Sequence, residues 1–169
     1  MRQKIVTHLW FDNQAEEAVA QYMGLFKDSE ILQVSRYGDS GAVVSGMPKG
    51  SVLTIRFRLE GQEFMALNGG PVFAFNPAVS LLVDCSDQGE VDRLWEGLSE
   101  GGSKGQCGWL TDRFGLSWQI VPSILGEMLG DPDEERVEAV MAALLKMEKL
   151  EIGGLEEAYR SVRFIDPAI

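Results

Sequence analysis

Ile5-Val6-Thr7-His8-Leu9-Trp10-Phe11-Asp12-Asn13-Gln14-Ala15-Glu16-Glu17-Ala18 decides the fold, because the chain writes the same grammar twice. Residues 5–11 are an apolar run rich in strand formers. Asp12-Asn13 stops it, and Asn13 with Glu16 three residues on fits the box that caps a helix start. Ala15, Ala18, Val19, Tyr22, Met23 and Phe26 then recur at helical spacing, so one face of that helix is apolar. Three further strands are predicted at 30–36, 51–59 and 62–68, the last two joined by a turn at Glu60-Gly61.

The second half repeats the order. Val79-Ser80-Leu81-Leu82-Val83 is a strand, and Asp87 with Glu90 is a second capping pair. Val91, Leu94, Trp95 and Leu98 share a helix face, and Gly101-Gly102 ends that helix. Strands follow at 107–111 and 116–121 around a turn at Asp112-Arg113-Phe114-Gly115. An internal repeat of this kind predicts pseudo-twofold architecture. From Ser123 the chain turns helical: Asp131-Pro132-Asp133 opens a segment with an apolar stripe of Val137, Val140, Met141, Leu144 and Leu145, and Gly153-Gly154 breaks it. The expected organisation is two βαβββ modules within 1–122 (about 1–70 and 78–122) and a helical extension over 123–169.

Bulk properties narrow the function classes. With 45% hydrophobic and 24% charged residues the chain has an ordinary globular composition. A net charge of -11 repels phosphate backbones and anionic lipids, which argues against nucleic-acid and membrane partners. No signal-like or membrane-spanning apolar run occurs. Cys85 and Cys107 have no metal-type or redox-motif spacing. A cytoplasmic protein with reduced thiols is expected.

Two segments resemble a known family. Asn68-Gly69-Gly70-Pro71-Val72-Phe73-Ala74-Phe75-Asn76-Pro77-Ala78-Val79-Ser80 and Gly108-Trp109-Leu110-Thr111-Asp112-Arg113-Phe114-Gly115-Leu116-Ser117-Trp118-Gln119-Ile120-Val121-Pro122 look like signature stretches of PhnB-like proteins. Those proteins form a branch of the vicinal-oxygen-chelate (glyoxalase/bleomycin-resistance) superfamily, often labelled a 3-demethylubiquinone-9 3-methyltransferase domain. The opening residues 9–18 and Lys146-Met147-Glu148-Lys149-Leu150 are similar too. The resemblance implies an α+β fold of paired βαβββ modules, with curved mixed sheets around a cavity, and commonly a dimer. It does not carry the methyltransferase label with it. A nucleotide-type cofactor needs a glycine-rich turn from strand into helix. Gly69-Gly70 runs into Pro71 and aromatics, and Gly101-Gly102 follows a helix, so no cofactor is expected.

Enzymes of that superfamily usually hold a divalent metal on His and Glu side chains. Here His8 is the single histidine, and the other ligand positions fall near Ala66, Ala78 or Ser80, and Gln119. Neutral amides and methyl groups are poor metal ligands, so a metal-free protein is expected. Strand parity offers something else. If Leu9, Phe11, Ile55, Phe57, Met65, Leu67, Leu81, Val83, Trp118 and Ile120 face the helices, the opposite face carries His8, Trp10, Thr54, Arg56, Phe64, Asn68, Ser80, Leu82, Cys107, Trp109, Ser117 and Gln119. Aromatic walls with a few hydrogen-bonding groups suit a small-molecule site; a face that packs on a second copy is the other reading. From this face His8, Trp10, Arg56, Asn68, Ser80, Trp109 and Gln119 are the candidate ligand-binding residues. Arg56 can meet a carboxylate or phosphate, or pair with Glu63 on the neighbouring strand. The sequence leaves three functions open: a metal-free binding protein, a metal-dependent lyase, isomerase or dioxygenase, and an interaction module acting through the acidic tail. A homodimer is expected, with the tail stripe as one source of interface.

Overall fold

The computed structural model describes residues 3–162. It forms two compact units that divide between Asn76 and Pro77. Residues 1–2 of the expected first module and 163–169 of the expected tail lie outside the described residues.

The first unit runs β1 (Thr7–Phe11), α1 (Ala15–Leu25), β2 (Ser29–Arg36), α2 (Asp39–Ser45), β3 (Val52–Leu59) and β4 (Gln62–Asn68). The second runs β5 (Ser80–Cys85), α3 (Gln88–Ser99), β6 (Ser103–Lys104), β7 (Trp109–Thr111) and β8 (Ser117–Pro122), then α4 (Ile124–Leu129), α5 (Glu134–Leu144) and α6 (Ile152–Ser161). Each unit holds one four-stranded mixed sheet, ordered β1-β4-β3-β2 and β5-β8-β7-β6. The two orders are the same permutation, so the repeat read in the sequence is a repeat of topology. The first pair of each sheet is parallel and the others antiparallel. α1 and α3 each cover one face of their own sheet. α2 was not anticipated: seven residues in length, it buries no side chain and so leaves no apolar stripe in the sequence.

The β3–β4 turn fixes the register of the first sheet. Glu60 and Gly61 both have positive φ (45° and 82°), as a two-residue hairpin turn requires. Leu59 therefore faces Gln62, and Phe57 faces Phe64, with their rings stacked at 5.4 Å. Phe64, Ala66 and Asn68 lie on the helix side with Leu9, Phe11, Ile55 and Phe57. Met65 and Leu67 lie on the open side with His8 and Trp10. This corrects the parity expected for β4. Its centre, Phe64-Met65-Ala66-Leu67, is apolar on both faces, so alternation alone does not orient it.

The helix starts divide the same way. Asp87 caps α3 as expected: its Oδ1 accepts from Glu90 N at 2.9 Å, and Glu90 Oε2 accepts from Ser86 N at 2.8 Å. The Asn13/Glu16 box at α1 does not form, since Gln14 is the cap residue and makes no side-chain cap bond. Asn68 supplies the acceptor from β4 instead.

The tail folds onto the second unit. Leu125, Met128, Val140, Leu144, Leu150 and Leu155 make a core of their own, and Val121 and Cys107 pack against it. Cys107 N and Gly108 N donate to Met147 O and Glu148 O, both at 2.7 Å. Gln88 reaches across as well, donating to Leu150 O and accepting from Ile152 N. Lys149 bridges Asp92 (2.6 Å) and Glu151 (3.1 Å), and its hydrogen bond holds the Asp92 carboxyl below the usual carboxylate range. The tail stripe thus belongs mainly to an intrachain core: Val140 and Leu144 are buried, and Leu145 alone of the five is largely exposed. Gly153-Gly154 does not break a helix but lies in the first turn of α6.

Candidate functional site

In the first unit, the face away from α1 carries two rows. His8, Met65 and Arg56 lie side by side across β1, β4 and β3, and Trp10, Leu67 and Thr54 form the next row. The Trp10 ring lies against the Gly69 backbone so closely that a Cβ there would sit 2.3 Å from it, which is why residue 69 must be glycine. Trp10 Nε1 donates to Gly70 O at 2.9 Å, and Phe73 meets the ring edge-on at 4.9 Å. The signature loop after β4 is therefore an aromatic fitting on this face. Thr54 and Ser35 hydroxyls share a 2.6 Å hydrogen bond. Arg56 donates to Glu63 Oε2 through Nε at 2.9 Å and through Nη2, forming the ion pair read as its alternative role.

In the second unit, Leu82, Gln119 and Trp109 form one row across β5, β8 and β7 on the face away from α3. Gln119 Nε2 donates to Ser80 Oγ at 2.8 Å. Trp109, Ser80 and Gln119 are each half-buried. Of the seven candidates, His8, Trp10 and Arg56 thus share one face of the first sheet, and Ser80, Trp109 and Gln119 share one face of the second.

Asn68 is the exception, and its placement on the open face is corrected. It is 2% exposed on the helix side. Its Oδ1 accepts from Ala15 N at 2.8 Å, and its Nδ2 donates to Glu16 Oε2 at 2.7 Å and to Val52 O at 3.1 Å. Every polar atom of the amide is engaged in holding α1 to the sheet. Asp112, in the expected turn, is a second anchor of this kind. Buried at 2%, it accepts from Phe114 N, Leu116 N and Trp118 Nε1. The signal for both was an amide or carboxylate next to an apolar strand, which sequence alone does not separate from a ligand-facing group.

The cysteines are not placed for nucleophilic work. Burial, with Glu90 and Asp84 nearby, pushes the Cys85 thiol up to about 12. Cys107 lies in the turn before β7 at φ 58°, its Sγ on Leu144 O at 3.6 Å, and not on the open face where parity put it.

The superfamily's metal does not fit these residues. His8 is exposed on β1, flanked by Met65 and then by the Arg56 cation, and Ala66 points into the core. Gln119 and Ser80 are bonded to each other. Among the described residues no group of three His, Cys, Asp or Glu side chains is placed to hold a metal ion. Nor do the glycine pairs fit a nucleotide-type cofactor: Gly69-Gly70 lies between two strands and Gly101-Gly102 between a helix and a strand.

Comparison with known proteins places the chain in a family. The model described as 3-demethylubiquinone-9 3-methyltransferase matches residues 3–121, ending where the helical tail begins. No curated protein matches. Among solved structures, a Bacillus cereus PhnB protein with the same methyltransferase description is 37% identical, with a TM-score of 0.64. The match covers 71% of this chain and 99% of that one. A Pseudomonas aeruginosa protein is 23% identical over 72% of this chain and 98% of its own, with a TM-score of 0.58. A glyoxalase/bleomycin resistance protein from Albidiferax ferrireducens is 12% identical over 69% of this chain and 96% of its own, with a TM-score of 0.37.

Proposed function

Since the chain belongs to the 3-demethylubiquinone-9 3-methyltransferase family and is similar to PhnB, we propose that it is a protein of the glyoxalase/bleomycin-resistance type that binds a small organic molecule on the open faces of its sheets, without a resident metal. The observation that carries this reading is the Trp109–Gln119–Ser80 group. An aromatic wall, an oriented amide and a hydroxyl stand together on a sheet face that its own helix leaves bare. Trp10 with Phe73 repeats the aromatic wall on the first sheet. Such a mixture of apolar surface and a few placed polar groups is what small-ligand sites are made of. The arrangement supplies hydrogen bonds and stacking surface.

We also propose that the protein acts as a cytoplasmic homodimer, with no nucleic-acid or membrane partner. The net charge of -11 supports the last point, and among the described residues no helix is long and apolar enough to cross a membrane. The edge of the first sheet supports the dimer. Edge strand β2 exposes Ile31, Leu32 and Val34, an unprotected edge of the kind that pairs with another chain.

Gln119→Ala tests the binding site. Native mass spectrometry on the purified protein identifies a bound molecule, and calorimetry gives its affinity. Loss of the Gln119 amide is expected to weaken binding about tenfold or more, the effect of removing one buried hydrogen-bond partner. Unchanged affinity would remove Gln119 and its row from the site.

A further inference from the structure

Within a strongly acidic chain, one groove is locally positive. It holds about 460 Å³ on the open face of the first sheet and is lined by Gln3, Lys4, Val6, Arg56 and Met65. Two cations line it, and among the described residues Glu63 is the one carboxylate bonded to either of them.

The way Glu63 holds Arg56 is informative. A single oxygen, Oε2, takes both Nε and Nη2, which is the side edge of the guanidinium. The pair is about four-fifths buried, so the plane of the guanidinium is held in one orientation. Nη1 makes no hydrogen bond among the described residues. The outer edge, Nη1 with the second hydrogen of Nη2, is thus presented to the groove as a planar two-donor fork. Arg58 is not a competitor for the same ligand, since it is paired with Glu30 at 2.9 Å.

Lys4 is brought to the groove by its neighbour. Gln3 Oε1 accepts from Glu63 N at 2.9 Å, and Gln3 Nε2 donates to Glu63 O at 3.3 Å. The residue that orients Arg56 therefore also tethers the segment that carries Lys4. Val6 and Met65 give the groove its apolar surface.

We propose that this groove binds the carboxylate of a small organic acid, its two oxygens on the outer edge of Arg56, Lys4 adding a second charge and the apolar body resting on Val6 and Met65. The charge count favours a monoanion. Two cations less the Glu63 carboxylate leave one net positive charge, which a single carboxylate neutralises, whereas a doubly charged phosphate would leave an excess negative charge and meet about twice the repulsion from Glu63. The inference rests on the reading above that the open faces bind a small molecule, and names the chemical class of ligand for the first sheet's face.

Calorimetry with two probes of one shape, 2-naphthoate and 2-naphthamide, tests it on the full chain. Naphthoate is expected to bind about tenfold or more tighter than the amide, since only the acid brings an opposite charge and two acceptor oxygens to the fork. Arg56→Gln with Glu63→Gln together should erase that preference while leaving no lone half-buried charge. Lys4→Gln, an exposed change, should reduce it. Equal binding of the two probes to the parent protein would overturn the carboxylate assignment and leave small-molecule binding standing. A preference that survives the double change would also overturn it, and binding of neither probe would remove both readings for this face.

Discussion

Asn68→Ala should lower stability by about 2–4 kcal/mol, through the loss of a buried helix-start acceptor and of two donor bonds, one buried and one part-buried. For a chain of this length that lowers the Tm by roughly 5–15 °C. The substitution leaves Ala15 N, Val52 O and the Glu16 carboxylate without the amide that now satisfies them. Asn68→Asp should not rescue it. The aspartate keeps an acceptor for Ala15 N but places a carboxylate 2.7 Å from Glu16 Oε2, where the amide now donates. Thermal unfolding of the three proteins checks this. An Asn68→Ala protein as stable as the parent but weaker in binding would return Asn68 to the open face.

Leu144→Asp and Leu145→Asp should differ sharply although they are neighbours. Leu144 is buried among Leu125, Met128, Val140, Leu150 and Leu155, and a charge there is expected to cost about 3–5 kcal/mol and to release the tail. Leu145 is 63% exposed, and its replacement should stay within about 0.5 kcal/mol. Hydrogen exchange over 124–161 reads the difference directly: fast exchange in the first variant, parent-like protection in the second. Similar protection in both would mean that the tail stripe is not an intrachain core. Dissociation of a dimer by Leu145→Asp alone would return the stripe to an interface.

The repeated order of strand, helix and hairpin was legible because each helix shows its buried face at a fixed spacing, whereas the two-residue β6 is too short to leave a pattern. Val91, Leu94, Trp95 and Leu98 were read as one face and are all buried. The Glu60-Gly61 turn was legible from its residues, and its two-residue length held the register of β4 as well. Pairing Leu59 with Gln62 puts Phe64 opposite Phe57 by counting alone. The apolar run 64–67 hid that answer, because hydrophobicity on both faces carries no phase. Capping by Asn68 was not legible for a different reason. It joins residues 53 apart in sequence, whereas sequence patterns report neighbours. The same holds for Asp112 and the Trp118 indole, which meet only once the hairpin closes. The tail stripe was visible, but amphipathic spacing says that a face is covered and not by what.

The candidate faces divide along the same line. Trp10, His8 and Arg56, and Ser80, Trp109 and Gln119, were grouped by alternation within strands whose ends were read correctly to within a few residues, and they do share faces. The orientation of Arg56 by one oxygen of Glu63 has no signature in the sequence, where the two residues are merely seven apart.

The most direct test of binding on the open faces uses the four tryptophans as built-in reporters. Trp10 and Trp109 are half-buried on those faces, while Trp95 and Trp118, each 2% exposed, lie in the cores beneath the helices. Fluorine NMR of protein labelled with 5-fluorotryptophan, titrated with a set of small aromatic acids and amides one at a time, resolves the four sites. The expected result is a saturable shift of the Trp10 or Trp109 resonance with at least one titrant, while Trp95 and Trp118 stay in place. Titrations that move neither Trp10 nor Trp109, or that shift all four together, would contradict binding on these faces.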